Sequence, residues 1–332
     1  MVDLITSMLA GLPAADLEAA GAVRERASQV LRPLGALDRL DEIAIWLASW
    51  QRRTTPRVDA VNALVFAADH GIAFSGVSAY PPEVTEAMLR ALREGVATAS
   101  VMSDALEVDL SVIDVGVGRP TGDITIEPAL TSARFNECWG LGREAVAAIS
   151  SSDLLVVGEM GIGNTTAAAA VCAGLFGGDG EMWTGRGTGI DDAGLSRKQA
   201  AVDAARKRVG ETTDPFEVLR QVGGSELVAI AAAVTEARIR SVPVVMDGFV
   251  VSSACAALEV ARPGALEHTI AGHCSAEPGH RLLLEKLGKS PLLDLGMRLG
   301  EASGALAAVP LIRLAARCVT DVATFGEWGL SR

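Results

Sequence analysis

Apolar and polar positions along the chain change period several times, and the changes mark out the elements. Over residues 3–50 the apolar positions recur at helical spacing, most clearly in LDRLDEIAIWLASW, and predict helices. A polar linker, QRRTTPRVD, follows. Beyond it, continuous apolar runs alternate with helical patterns: AVNALVFAAD before PEVTEAMLRALREGVATASVM, VDLSVIDVGV before a Gly- and Pro-containing excursion and REAVAAI. SDLLVVGE then precedes TTAAAAVCAGLF, and VPVVMD precedes a helix from about Phe249 to Val260. HTIAGH is a weaker strand candidate. After Gly300, ALAAVPLIRLAARCV is helical again, interrupted or kinked by Pro310.

Unbroken apolar strands separated by helices predict an α/β fold with a parallel sheet covered on both faces. The expected division is a large α/β domain at 56–300 and a small helical lobe built from 1–55 plus 301–332. In such sheets ligands bind beyond the carboxyl ends of the strands. The polar groups expected there are Asp69-His70-Gly71, Asp114, Glu159, Asp247-Gly248 and His273.

Composition narrows the functions. The 332 residues are 49% hydrophobic and 4% aromatic, with a net charge of −12 and no basic cluster, which argues against a nucleic-acid partner. The longest apolar runs, such as LVFAA and AAAAVCAGLF, are too short for a bilayer. Met1 to Ala20 holds acids and a proline and lacks the pattern of a signal peptide. The expectation is a cytoplasmic protein without a membrane partner. Five scattered cysteines without a CxxC pair suggest neither a disulfide scaffold nor a zinc knuckle. His273, Cys274 and His280 are not expected to form a metal site.

Two glycine-rich segments, a Pro-Gly turn and a glutamate stand out as candidates. In VVGEMGIGNTTAAAA, a strand end turns through Gly161 and Gly163 into an alanine-rich helix, so the N–H groups of Met160, Gly161, Ile162, Gly163 and Asn164 can cradle an anion. The segment is not a Walker A loop, since Asn164-Thr165-Thr166 stands where Lys-Ser/Thr is required. It matches only part of the dinucleotide fingerprint. The alternative is a tight strand-to-helix connection capped by Thr165. GRGTGIDDAGLSRKQ, with Gly187 and Lys198, is a second glycine loop entering a helix capped by Asp191 or Asp192. Lys198 points either to a phosphate or to water. HCSAEPGH places Ser275 and Glu277 beside a sugar or in a loop before a helix near His280. Glu301, after Gly300 and Leu299, reads by itself as a first-turn acid that favours the dipole of the following helix.

Taken in order, GEMGIGNTT, GRGTGIDDAGLSRK, VVMDGFVVSSA, SAEPGHRLLLEKLG and LLDLGMRLGEASGA resemble the nicotinate-nucleotide–dimethylbenzimidazole phosphoribosyltransferase family. FAADHGIAFSGVSAYPPEVT and LGALDRLDEIAIWLA resemble its earlier segments. The resemblance runs from about Leu34 to the helix after Gly304. It implies transfer of the phosphoribosyl group of nicotinate mononucleotide to 5,6-dimethylbenzimidazole, yielding α-ribazole 5′-phosphate for cobalamin. It also implies a Rossmann-like topology, a homodimer, small-molecule substrates, and neither a cofactor nor a metal. By the same resemblance Glu301 is the general base and Glu159 its partner. The 160–164 turn, Gly187, Lys198 and Ser275 hold the nucleotide, while Pro82, Met160 and Leu299 meet the aromatic base. Two departures stand out. Pro82 replaces the glutamine of many family members, and the stretch Thr131 to Arg143 is a shortened loop. The competing readings are a nicotinamide-cofactor dehydrogenase and a non-catalytic nucleotide sensor.

Overall fold

The computed structural model describes residues 2–187 and 189–331; Met1 and Arg332 of the expected small lobe, and Thr188 of the second glycine loop, lie outside the described residues. Three helices open the chain: α1 (Val2–Ala10), α2 (Leu17–Gln29) and α3 (Asp38–Gln51). β1 (Val61–Ala68), a 3-10 turn at Gly71–Ser75, α4 (Val84–Arg93), α5 (Thr98–Ala105) and β2 (Asp109–Gly116) follow. Next come α6 (Ser132–Ala147), β3 (Leu154–Met160), α7 (Asn164–Phe176), α8 (Gly180–Trp183), α9 (Asp192–Val209), α10 (Pro215–Val222) and α11 (Ser225–Ile239). β4 (Val244–Met246), α12 (Phe249–Ala261), β5 (Thr269–Ala271), α13 (Pro278–Lys286) and α14 (Ser303–Thr320) complete it.

The five strands form one parallel sheet in the order β2-β1-β3-β4-β5. This is the five-stranded 2-1-3-4-5 arrangement of doubly wound sheets, which narrows the Rossmann-like expectation; its order reverses at β1 and β3. Side chains alternate between two cores, as the two-residue strand period requires. Leu64, Phe66, Leu155, Val157, Val244 and Met246 pack toward α6, α7, α11 and α12, whereas Ala63, Val65, Leu154, Val156 and Val245 pack toward α3 and α14.

Two elements differ from the sequence expectation. The Thr131–Arg143 stretch is no loop; it forms most of α6. Thr131 caps that helix by accepting from the Arg134 N–H at 3.2 Å. Phe135, Cys138, Trp139 and Val146 fill the core, and glycine at 142 lets α6 lie directly on the Ala229 backbone of α11. α11 itself has no counterpart in the sequence expectation: SELVAIAAAVTEARI is apolar around its circumference, and it is buried nearly throughout. α14 is long and apolar enough to cross a bilayer by length and composition, although Arg313 and Arg317 interrupt its apolar sequence. Here it packs on α3, α5 and β3 instead.

The chain ends meet. Val30 bridges Thr324, and the Arg26 guanidinium donates to the carbonyls of Val319, Thr320 and Val322 at the carboxyl end of α14. A cation there also complements the helix dipole.

The start of α14 rests on β3 through Gly158. A Cβ at that position would stand 2.2 Å from the Ala302 amide nitrogen and 2.5 Å from its Cα. Gly158→Ala is therefore expected to cost about 1–3 kcal/mol by overpacking and to lower turnover of the protein that remains folded. Urea unfolding alongside an activity assay checks both. A variant of wild-type stability would show that the strand and turn separate freely.

Candidate active site

A cleft of about 350 Å³ opens beyond the carboxyl ends of β3 and β4, with residues following β5 also on its wall. That location follows from topology: helices cover both faces of the sheet, leaving its strand ends and their loops to bind a ligand.

One end of the cleft is acidic. Glu159, on β3, is 8% exposed, and its Oε2 accepts from the Asn164 side-chain amide. Its main-chain carbonyl accepts from the Glu301 N–H at 2.9 Å, coupling the two glutamates through the backbone. Burial first, then the nearby Asp247 and Glu226, hold the Glu159 carboxyl well above the usual range. Asn164 opposes this shift, and Glu301 adds to it. Glu301 and Ala302 both occupy the left-handed region, with φ of 59° and 66°. Two consecutive non-glycine residues there store strain that the surrounding packing must sustain. Glu301 is 2% exposed; burial raises its pKa, while the Ala99 N–H, 3.4 Å from Oε2, lowers it.

Asp247 lies beneath this turn, fully buried after β4. Its Oδ1 accepts from the Ala305 N–H at 2.9 Å and stands 3.5 Å from His273 Nε2. Burial pushes its carboxyl up to about 7 against the pull of the α14 backbone amides, with Glu301 adding repulsion. Burial also depresses His273, favouring neutral imidazole, although Asp294 opposes it. His280 is pushed down to about 3, chiefly by burial. Its Nδ1 accepts from the Ser275 N–H at 2.9 Å, so its Nε2–H faces Ser252 Oγ at 3.0 Å. The second histidine thus braces the Ser275 loop.

The other end brings together the start of α7, Lys198 and the Gly187 loop. Gly163 immediately precedes α7, and its φ of 94° turns the chain from strand to helix with no side-chain cap. Thr165, the cap considered from sequence, instead has its Oγ1 accepting from Lys198 Nζ at 2.9 Å. Lys198 is 1% exposed, and it also donates to the Gly185 carbonyl at 3.1 Å. Both partners are neutral, so the ammonium is buried without an ion pair among the described residues. Burial lowers its pKa, and Glu277 partly restores it. Some expected amide donors are already engaged: Ile162 N–H with Thr85 Oγ1, Asn164 N–H with the Gly161 carbonyl, and Gly187 N–H with Glu277 Oε1 at 2.7 Å.

The structure gathers Glu159, Met160, Gly161, Ile162, Gly163, Asn164, Gly187, Ser275, Leu299 and Glu301 around this one cleft. Lys198 stands behind the wall, within 3.3 Å of where a Gly187 Cβ would lie. Pro82 is off the wall; its neighbours Tyr80 and Val84, with Met88 one turn further, are on it. Sequence reasoning did not single out those three residues or Arg298. The arginine was legible as the one cation in GMRLGE, but nothing in the motif tells which way it points.

A doubly wound sheet with two buried glutamates on the wall of a strand-end cleft, and a buried lysine behind that wall, has the layout of a small-molecule transferase. A model of the phosphoribosyltransferase family matches residues 12–330. The chain belongs to the nicotinate-nucleotide–dimethylbenzimidazole phosphoribosyltransferase family. It is 46% identical to the enzyme of that name from Methylocella silvestris, covering 98% of this chain and 95% of the relative. It is 47% identical to the one from Mesorhizobium japonicum, covering 99% and 98%. The solved structure of CobT from Thermus thermophilus superposes with a TM-score of 0.91 at 42% identity, covering 95% of this chain and 99% of that one.

Asp247 provides a pH test. Its folded pKa of about 7 lies above the ordinary 3.8, so the folded state binds a proton that the unfolded chain releases. That contribution is full below 3.8 and is lost as pH rises through about 7. Asp247→Asn, neutral throughout, should gain stability relative to wild type across that window. Parallel denaturation curves from pH 4 to 8 measure it, and a constant difference would assign Asp247 an ordinary pKa.

Proposed function

We propose that this protein moves the 5-phosphoribosyl group of nicotinate mononucleotide to 5,6-dimethylbenzimidazole or a related aromatic base. The products are α-ribazole 5′-phosphate and nicotinate, and the former serves cobalamin biosynthesis. One observation carries the reading: a single cleft has the buried, unpaired Lys198 behind its glycine loop at one end and the Glu159–Glu301 pair at the other. The donor has matching parts. Its 5′-phosphate goes to the α7 turn, Gly187, Ser275 and Lys198, leaving C1′ near the carboxylates.

In this mechanism, one benzimidazole nitrogen attacks C1′ as the bond from C1′ to the pyridinium nitrogen breaks. The departing electron pair neutralises the pyridinium and releases nicotinate. The opposite N–H of the base loses its proton to Glu301, whose burial makes it a stronger base than a solvated carboxylate. A single displacement inverts C1′, converting a β-nucleotide into an α-product. Glu159, tethered by Asn164, supports positive charge near C1′ or orients the base. Tyr80, Val84, Met88, Met160 and Leu299 offer the base a largely apolar wall. We further propose a cytoplasmic homodimer, with residues 1–55 and 301–332 forming a small lobe beside the 56–300 domain.

Incubation with nicotinate mononucleotide and dimethylbenzimidazole, followed by mass analysis, tests the reaction. Glu301→Gln should lower kcat by about 10²–10⁴-fold, the usual worth of a positioned general base, with donor binding nearly intact. Turnover at the wild-type rate would move the base elsewhere. Because Pro82 stands off the wall, Pro82→Gln should leave the ranking of competing benzimidazoles unchanged. A reordered ranking in a competition assay would bring that position into the pocket.

A further inference from the structure

Arg298 has no role in the scheme above, yet its side chain is on the cleft wall. It is exposed, lies in the irregular segment between α13 and α14, and donates through Nη1 to the Gly187 carbonyl at 3.0 Å. The other charged side chains on the wall are the carboxylates of Glu159, Glu277 and Glu301, making Arg298 its one cation among the described residues. None of these carboxylates forms an ion pair with it. A guanidinium has five N–H donors in a planar fork suited to phosphate or carboxylate, and the Gly187 contact engages only one nitrogen.

Gly187 fixes the end of the cleft that this cation serves. A Cβ there would lie 3.3 Å from both Lys198 Nζ and Thr165 Oγ1. The glycine is therefore flanked by the buried Lys198 ammonium and the exposed Arg298 guanidinium, while its N–H is held by the Glu277 carboxylate at 2.7 Å. A phosphate resting on the loop would meet both charges, whereas the reacting carbon and the base lie toward Glu159 and Glu301.

Building on the proposed reaction, we propose that Arg298 grips the donor's 5′-phosphate from the solvent side, opposite Lys198, and so makes the enzyme select nucleotides over nucleosides. Its bond to Gly187 holds the guanidinium in place before the donor arrives, which reduces the ordering cost of binding. The ring carboxylate of nicotinate is the other anion in the donor. It departs with the leaving group, so a contact there would act at the opposite end.

The test compares wild type, Arg298→Ala and Arg298→Lys with three donors: nicotinate mononucleotide, nicotinate riboside and nicotinamide mononucleotide. Arg298→Ala should lower kcat/KM for nicotinate mononucleotide about 10–100-fold, as expected for losing a charged hydrogen-bonding partner, mainly through KM. The riboside should change at most a few-fold, collapsing the nucleotide-to-nucleoside ratio, and Arg298→Lys should recover part of it. Calorimetry with inorganic phosphate should show weaker binding to Arg298→Ala without any chemistry. Equal losses with nucleotide and riboside would reduce Arg298 to a brace for the Gly187 loop and overturn the assignment. A loss confined to discrimination between nicotinate and nicotinamide donors would overturn it in favour of the ring carboxylate. Absence of wild-type turnover with every donor would sink the reaction itself, an outcome distinct from either.

Discussion

Everything at the acidic end depends on how closely the backbone of residues 300–305 approaches the strands. Ala302 lies against β3 at a distance that only the missing side chain of Gly158 permits, and a Cβ on Gly304 would fall 2.1 Å from the His273 ring. This contact seats the start of α14 on the sheet, forces Glu301 and Ala302 into the left-handed region and joins the Glu301 amide to the Glu159 carbonyl. The same turn carries the catalytic candidate and the N-terminus that Asp247 caps. Strain at Glu301 is thus maintained by packing on several sides, as a precise site requires.

The cleft places Glu159 and Glu301 at one end and Lys198, with the Glu277 carboxylate, at the other. Carboxylates that would repel one another in a dry interior gather at one end, where burial and mutual repulsion raise their proton affinity. At the other end a lysine hydrogen-bonded only to neutral partners gives up part of its proton affinity to burial, which the nearby Glu277 carboxylate partly restores. Each end by itself is unfavourable, because buried charge without a counter-charge is costly. A donor carrying phosphate at one end and a cationic ring at C1′ relieves both.

Nearly all of the strand assignments were legible, because β1, β3 and β4 have both faces buried and read as unbroken apolar runs. The resemblance cast Thr131–Arg143 as a loop, while only the REAVAAI end of α6 read as helical; packing of α6 against α11 makes the helix favourable throughout. α11 escapes a reading by period because its apolar residues surround the helix and leave no amphipathic pattern. Among site residues, the glycine turns and Glu301 announced themselves by motif, whereas Asn164 gives no sign in sequence that it ties to Glu159.

Local periodicity along the chain predicted most of the elements, the parallel sheet and the short list of polar residues at strand ends, while the family resemblance rested on the motifs themselves. Packing alone settled that Lys198 lies behind the loop, that Pro82 stands off the wall, and that Arg298 and Lys198 flank one glycine. Each of these depends on contacts between residues far apart in the chain. Such contacts arise when separate elements pack, and no local pattern encodes their distance or direction.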